Sequence, residues 1–252
     1  MDFKNQTIWI IGASSGIGRE LAIQLSDAGA NLILSARREA ELKKLQKELG
    51  ESHQIYSMDV SDPSQVKQTF SKIAKLKRRL DRVIFMPALY KPDYITNMDL
   101  VFMSKMVDVN IKGALYITRG ILPIFEKQKS GQISLCGSIA GYTGLPNGQP
   151  YSATKAAIIN FAESLHAESP DYMDVKLISP GFVSTQMTDK NDFDMPMIIT
   201  PEQAAGSIIK GLNKSAFEIH FPKKFTMILK FLSILPYRLK LFVTRKMKRK
   251  QY

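Results

Sequence analysis

The stretch TIWIIGASSGIGRELA, residues 7–22, decides how the rest of the chain is read. It starts within a short apolar, β-rich run, TIWIIGA (7–13). Gly12, Gly16 and Gly18 then fall where a strand has to turn sharply, bring its backbone close to a ligand and enter a helix pressed against the sheet. The helix follows as GRELAIQLSDAG, with Leu21, Leu25 and Ala28 on one face. A diphosphate lodged among Ser14, Ser15, Gly16, Ile17 and Gly18 would meet free backbone N–H groups and the positive end of the helix dipole. A plain tight turn is the alternative. The placement directly after a first strand and before a helix favours a dinucleotide site.

Six further β-rich runs recur: NLILSA (31–36), QIYSMDV (54–60), RVIFM (82–86), QISLCG (132–137), DVKLISP (174–180) and FEIHF (217–221). Amphipathic stretches lie between most of them, and strands alternating with helices imply crossover connections in a parallel sheet. The expected fold is α/β, Rossmann-like and doubly wound: a seven-stranded, mostly parallel sheet with helices on both faces. Residues 1–222 are expected to form one catalytic domain, followed by a basic tail over 223–252. The long aperiodic segment 184–203 reads as a lid or as a disordered surface loop, and Thr200 followed by Pro201 marks the start of a helix.

At 252 residues, 44% hydrophobic and 23% charged, the chain has material for one sizeable core. A single cysteine, Cys136, rules out an intrachain disulfide framework, and the first residues lack a secretory signal, which together point to the cytoplasm. His53, His166 and His220 have no partners at ligand spacing, so no metal is expected. The net charge of +12 is not spread evenly: residues 223–252 hold ten Lys or Arg and no Asp or Glu, leaving 25 basic against 23 acidic residues in 1–222.

The second strand ends in LSARRE. A protein that reads the ribose of NAD is expected to place an acidic side chain about 20 residues beyond the glycines. Ala36 stands there instead, with Arg37 and Arg38 next. Two guanidiniums suit a 2′-phosphate, which they hold by planar bidentate contacts. NADP(H) is therefore preferred over NAD(H); two solvated arginines at a helix start are the alternative.

Residues 149–157, QPYSATKAA, place Tyr151 four residues before Lys155. With the glycine turn, this pair resembles the short-chain dehydrogenase/reductase family over about residues 7–221. The family's T-G-x-x-x-G-x-G is matched by IGASSGIG with Ile11 in place of the threonine. Its adenine-side Asp is matched by Asp59 with Val60, its active-site asparagine by Asn110 and its serine by Ser138. Its Pro-Gly turn with a later threonine is matched by Pro180, Gly181, Val183 and Thr185. The resemblance implies that Tyr151 exchanges the proton, Lys155 also holds the nicotinamide ribose, Ser138 bonds the substrate oxygen and Asn110 helps hold a proton-relaying water. An ammonium one helical turn from a phenol favours the phenolate, so Lys155 is expected to lower the Tyr151 pKa. One motif departs: where the family commonly has N-N-A-G, this chain reads FMPA, Phe85 to Ala88. Pro87 removes a backbone donor there, although the backbone of Ala88 is still expected along the cofactor.

Tyr142, Leu145, Pro146, Phe182, Met187, Met195 and Met197 flank the expected substrate position, which suits a hydrophobic carbonyl or alcohol; packing among themselves is the alternative. The tail mixes apolar residues, from Phe225 to Leu235, with a basic end and has no run long enough to span a bilayer. It fits an anionic membrane surface, or it folds back over the body or a second subunit; nucleic acid is disfavoured. The expected activity is hydride transfer between NADP(H) and a carbonyl or alcohol, in a homodimer or homotetramer that is cytoplasmic or peripheral at an inner membrane face. The alternative is an inactive NADP-binding scaffold or sensor at a membrane surface.

Overall fold

The computed structural model describes residues 3–76 and 78–247. Its first strand, β1 (Thr7–Ile11), is buried along its whole length, as a strand covered on both faces must be. Ile8 and Ile10 enter one core and Trp9 and Ile11 the other, the period-two alternation of a pleated strand. Between the layers Trp9 still satisfies its indole N–H, which donates to Ser35 Oγ at 2.9 Å, and its ring meets Phe70 edge-on.

The chain continues through α1 (Gly16–Asp27), β2 (Asn31–Ala36), α2 (Glu39–Leu49), β3 (Gln54–Ser57), α3 (Pro63–Ala74), β4 (Arg82–Phe85), α4 (Leu100–Val107), α5 (Gly113–Gln128), β5 (Gly131–Cys136), α6 (Tyr151–Glu168), β6 (Met173–Pro180), α7 (Pro201–Leu212) and β7 (Glu218–Phe221). The sheet order is β3-β2-β1-β4-β5-β6-β7, and every pairing is parallel. This is the expected doubly wound α/β sheet. Helices α1, α2 and α7 cover one face through Leu21, Leu25, Leu42, Ala205 and Ile208. Helices α3, α5 and α6 cover the other through Val66, Ile117, Ile121, Phe125 and Ile158.

The chain winds outward from β1 to β3 and then returns to place β4 on the other side of β1. That reversal opens a crevice beyond the carboxyl ends of β1 and β4, the place where such sheets bind ligands. Between α4 and α5 the helix widens into a π turn over Asp108–Lys112, a local change often found at functional sites. Helix α7 begins where the sequence places it: Thr200 caps it reciprocally with Gln203, and Pro201 opens the first turn. The segment before it forms a short 3₁₀ turn at Thr188–Lys190 and bridges back from Ile199 to Val183.

Two helices follow the sheet, α8 (Lys223–Ile234) and α9 (Tyr237–Lys246), separated at Leu235 and Pro236. Leu229 and Leu232 of α8 are buried against Ile139 and Tyr142, so this side of the tail folds back on the body. The basic end of the tail, residues 248–252, lies outside the described residues.

Candidate active site

A cleft of about 530 Å³ occupies the crevice beyond β1 and β4. Its floor is the glycine turn. Gly12 and Gly16 hold positive φ values of 88° and 54°, a region that glycine enters without strain. Gly18 is required for closeness: a Cβ there would lie 2.2 Å from the Gly12 carbonyl oxygen, so only glycine lets α1 start so near the strand. Ser15 at the start of α1 makes no side-chain capping bond, and the first turn carries no acidic residue. Helices α3, α4 and α7, by contrast, are capped by Asp62, Asp99 and Thr200. The open donors and dipole of α1 therefore face the cleft, a donor set that fits a diphosphate.

Every residue expected at the nucleotide lines this cleft: Gly12, Ser14, Ser15, Gly16, Ile17, Gly18, Arg37, Arg38, Asp59, Val60, Ala88, Pro180, Gly181, Val183 and Thr185. Arg38 donates to Ser14 Oγ at 3.3 Å, which holds its guanidinium at the rim beside the glycine turn. Asp59 accepts from the backbone N–H and hydroxyl of Ser61. The departure FMPA is absorbed by packing. Phe85 is buried in the core that holds Trp9 and Ile11, and Met86 packs against the one that holds Ile8 and Ile10, while Pro87 N lies 3.1 Å from where a Gly12 Cβ would stand. Pro87, which lacks a backbone donor, thus lies against the glycine turn and lines the cleft beside it.

At the other end of the cleft, β5 ends at Cys136 and Ser138 follows, while α6 begins with Tyr151 and carries Lys155 one turn later; all four line the cleft. Ser138 accepts from the Ala140 N–H at 3.1 Å and opens the 3₁₀ turn Ile139–Gly141. Lys155 is buried and donates to the Cys136 carbonyl at 2.7 Å. Its Nζ stands 5.5 Å from the Tyr151 ring centre.

The expected effect of Lys155 on Tyr151 is corrected. Burial dominates, pushing the Tyr151 phenol well above its ordinary value; a hydrogen bond with Ser138 opposes it. Burial likewise lowers the Lys155 ammonium, with Cys136 opposing. The spacing of four residues does bring the pair together. Desolvation of an ionised phenol raises its pKa, and the Lys155 ammonium is not among the influences that offset it.

Asn110 is buried behind the cleft rather than lining it. Its Oδ1 accepts from the Leu89 N–H at 2.7 Å, and its Nδ2 donates to the Leu89 carbonyl and to Thr154 Oγ1, both at 3.0 Å. It thereby pins the segment after β4 to α6. Two contacts have no local signal in the sequence. Tyr90 lies edge-on against Tyr151 with ring centres 4.9 Å apart, and its hydroxyl donates to Asn191 Oδ1 at 2.6 Å across 101 residues. Of the residues expected around the substrate, Met187 lines the cleft. Tyr142 instead bonds Glu218, and Phe182 stacks on Phe225 and meets Phe193 edge-on.

The family model for short chain dehydrogenases matches residues 6–195. An uncharacterized oxidoreductase of Staphylococcus saprophyticus is 36% identical over 197 residues, covering 76% of this chain and 80% of the relative. An NADP-dependent 3-hydroxy acid dehydrogenase of Schizosaccharomyces pombe is 30% identical over 226 residues, covering 83% and 87%. A solved short chain dehydrogenase from Burkholderia cenocepacia in complex with NADP superposes with a TM-score of 0.84 at 22% identity, over 99% of this chain and 100% of that one.

Proposed function

The chain belongs to the short-chain dehydrogenase family, and on that premise we propose that it transfers hydride between NADP(H) and an apolar carbonyl or alcohol. One observation carries the reading: a single cleft joins the uncapped start of α1 to Ser138, Tyr151 and Lys155. Residues 1–222 are the catalytic domain and 223–252 a tail. The preference for NADP(H) rests on Arg37 and Arg38 at the rim, with Ala36 where an acidic residue would bond a free 2′-hydroxyl. The Schizosaccharomyces relative, NADP-dependent by its name, agrees with this preference.

NADP(H), when bound, would supply or accept the hydride. The chain supplies position and the proton. Ser138 orients the substrate oxygen towards the Tyr151 hydroxyl, and the phenol, kept neutral by burial, delivers its proton to that oxygen as charge develops on it. Lys155, held by the Cys136 carbonyl, keeps a cation beside the phenolate left behind. Leu89, Tyr90, Val183 and Met187 give the cleft an apolar wall, which supports an apolar substrate. Family resemblance supports a homodimer or homotetramer packed through the helices that carry Asn110 and Tyr151. The ten cations and the apolar residues of the tail support a cytoplasmic protein peripheral at an inner membrane face.

The test is NADPH oxidation across short polar and long apolar carbonyls, with the Tyr151→Phe variant beside the wild type. Turnover is expected only in the wild type, with NADPH binding equal in both and long apolar carbonyls preferred. Equal turnover by Tyr151→Phe would refute the catalytic assignment.

A further inference from the structure

Helices α8 and α9 carry two unlike faces, and the inner one is accounted for. Leu229 and Leu232 are buried on the body, Phe225 stacks on Phe182, and Lys230 pairs with Glu218 of β7. The outer face is apolar and exposed through Met227, Ile228, Phe231 and Ile234 of α8 and Leu241 and Phe242 of α9; Phe231 is 64% and Ile234 77% exposed. On a helix, positions 227, 228, 231 and 234 fall in one sector, opposite 226, 229 and 232. The outer residues of α8 therefore form a stripe rather than scattered exposures, and such a stripe marks a contact surface.

The charges say what kind of surface it meets. Residues 223–252 carry ten cations and no anion. Arg238, Arg245 and Lys246 are exposed in the same sector of α9 as Phe242. A second copy related by a two-fold axis would bring this face onto itself and set cations against cations. An anionic leaflet accommodates both features, with the apolar side chains at the acyl boundary and the cations among the headgroups. None of the described helices is long and apolar enough to cross a membrane, so the pair lies in the interface.

We propose that the outer face of α8 and α9 docks on an anionic lipid bilayer while the inner face keeps the pair attached to the body. This deepens the reading of the site as an oxidoreductase of apolar compounds. Helix α8 touches Ile139, next to Ser138, so docking brings the substrate end of the cleft close to the lipid in which such compounds dissolve. The docking itself does not depend on turnover.

The experiment is cosedimentation of the full chain with phosphatidylcholine vesicles, with and without phosphatidylglycerol, and with NADPH binding measured on the same samples. The expected result is pelleting that needs phosphatidylglycerol, fades at high salt and drops at least about tenfold in Phe231→Gln/Phe242→Gln. Arg238→Gln/Lys246→Gln is expected to weaken pelleting while keeping NADPH binding. The proposal is overturned if the wild type ignores anionic vesicles or if the double phenylalanine variant pellets as well as the wild type. It is also overturned if that variant splits a soluble dimer, which would assign the face to a second copy. Loss of NADPH binding with pelleting intact would count against the oxidoreductase reading alone.

Discussion

Replacing Asn110 by alanine removes three hydrogen bonds at once and leaves the Leu89 N–H, the Leu89 carbonyl and Thr154 Oγ1 short of a partner. A buried polar group left unpaired costs about 1–3 kcal/mol. Leu89 is only half-buried, and water reaches part of what it loses. The low end of that range therefore applies, and the three losses together amount to roughly 2–4 kcal/mol. In a chain of this length each kcal/mol moves Tm by about 2–4 °C, so a fall of roughly 4–16 °C is expected. Urea unfolding with the slope checked gives the free energy directly. Thr154→Val is the control, because it breaks only one of the three bonds to Asn110. It also removes the short bond from Thr154 to the Tyr151 carbonyl, and still is expected to cost only about 1–2 kcal/mol. NADPH affinity should fall in Asn110→Ala, since the unpinned segment includes Leu89 and Tyr90 of the cleft wall. A cost for Asn110→Ala no larger than that for Thr154→Val would overturn the bracing role. Lost turnover with unchanged stability would refute the bracing role and favour a water-holding one.

Arg38→Ala removes a guanidinium held beside Ser14; fluorescence titration is expected to show NADPH binding weakened about tenfold or more with NADH nearly unchanged, and equal weakening of both would refute a 2′-phosphate contact. Gly18→Ala drives a Cβ into the Gly12 carbonyl, so calorimetry should show about 1–3 kcal/mol of lost stability and titration a loss of NADPH binding; a variant that keeps wild-type affinity would mean that the turn can open without cost. His53 is buried, accepts from the Leu32 N–H at 3.2 Å through Nδ1 and meets Ser26 Oγ at 2.8 Å, and burial lowers its pKa. The unfolded chain therefore takes up a proton that the folded one resists, and stability falls as pH drops from the ordinary histidine value towards the lower folded one. Urea midpoints at about pH 7.5 and about pH 5.5 should converge in His53→Gln relative to the wild type, and an unchanged pH dependence would remove His53 as the cause.

The strands were legible because burial on both faces prints them as apolar runs, and the glycine turn was legible because its demands are met within seven residues. The end of β3 was not: QIYSMDV continues the apolar pattern, yet the strand stops at Ser57. Beyond it Met58, Asp59 and Val60 turn to line the cleft, a change of direction that composition does not record. The contacts of Tyr90 with Tyr151 and Asn191 were invisible for a different reason, since each joins segments that only the sheet order brings together. The Tyr151 pKa shows where local reasoning reaches its limit. Helical spacing fixed the neighbour correctly, and the sign of the shift still came out wrong, because desolvation depends on everything that surrounds the hydroxyl. The same distinction governs FMPA. Read alone, Pro87 is a lost donor. In the fold it packs against Gly12, and the segment that follows is pinned by Asn110, a residue whose part in it could be read only from the fold.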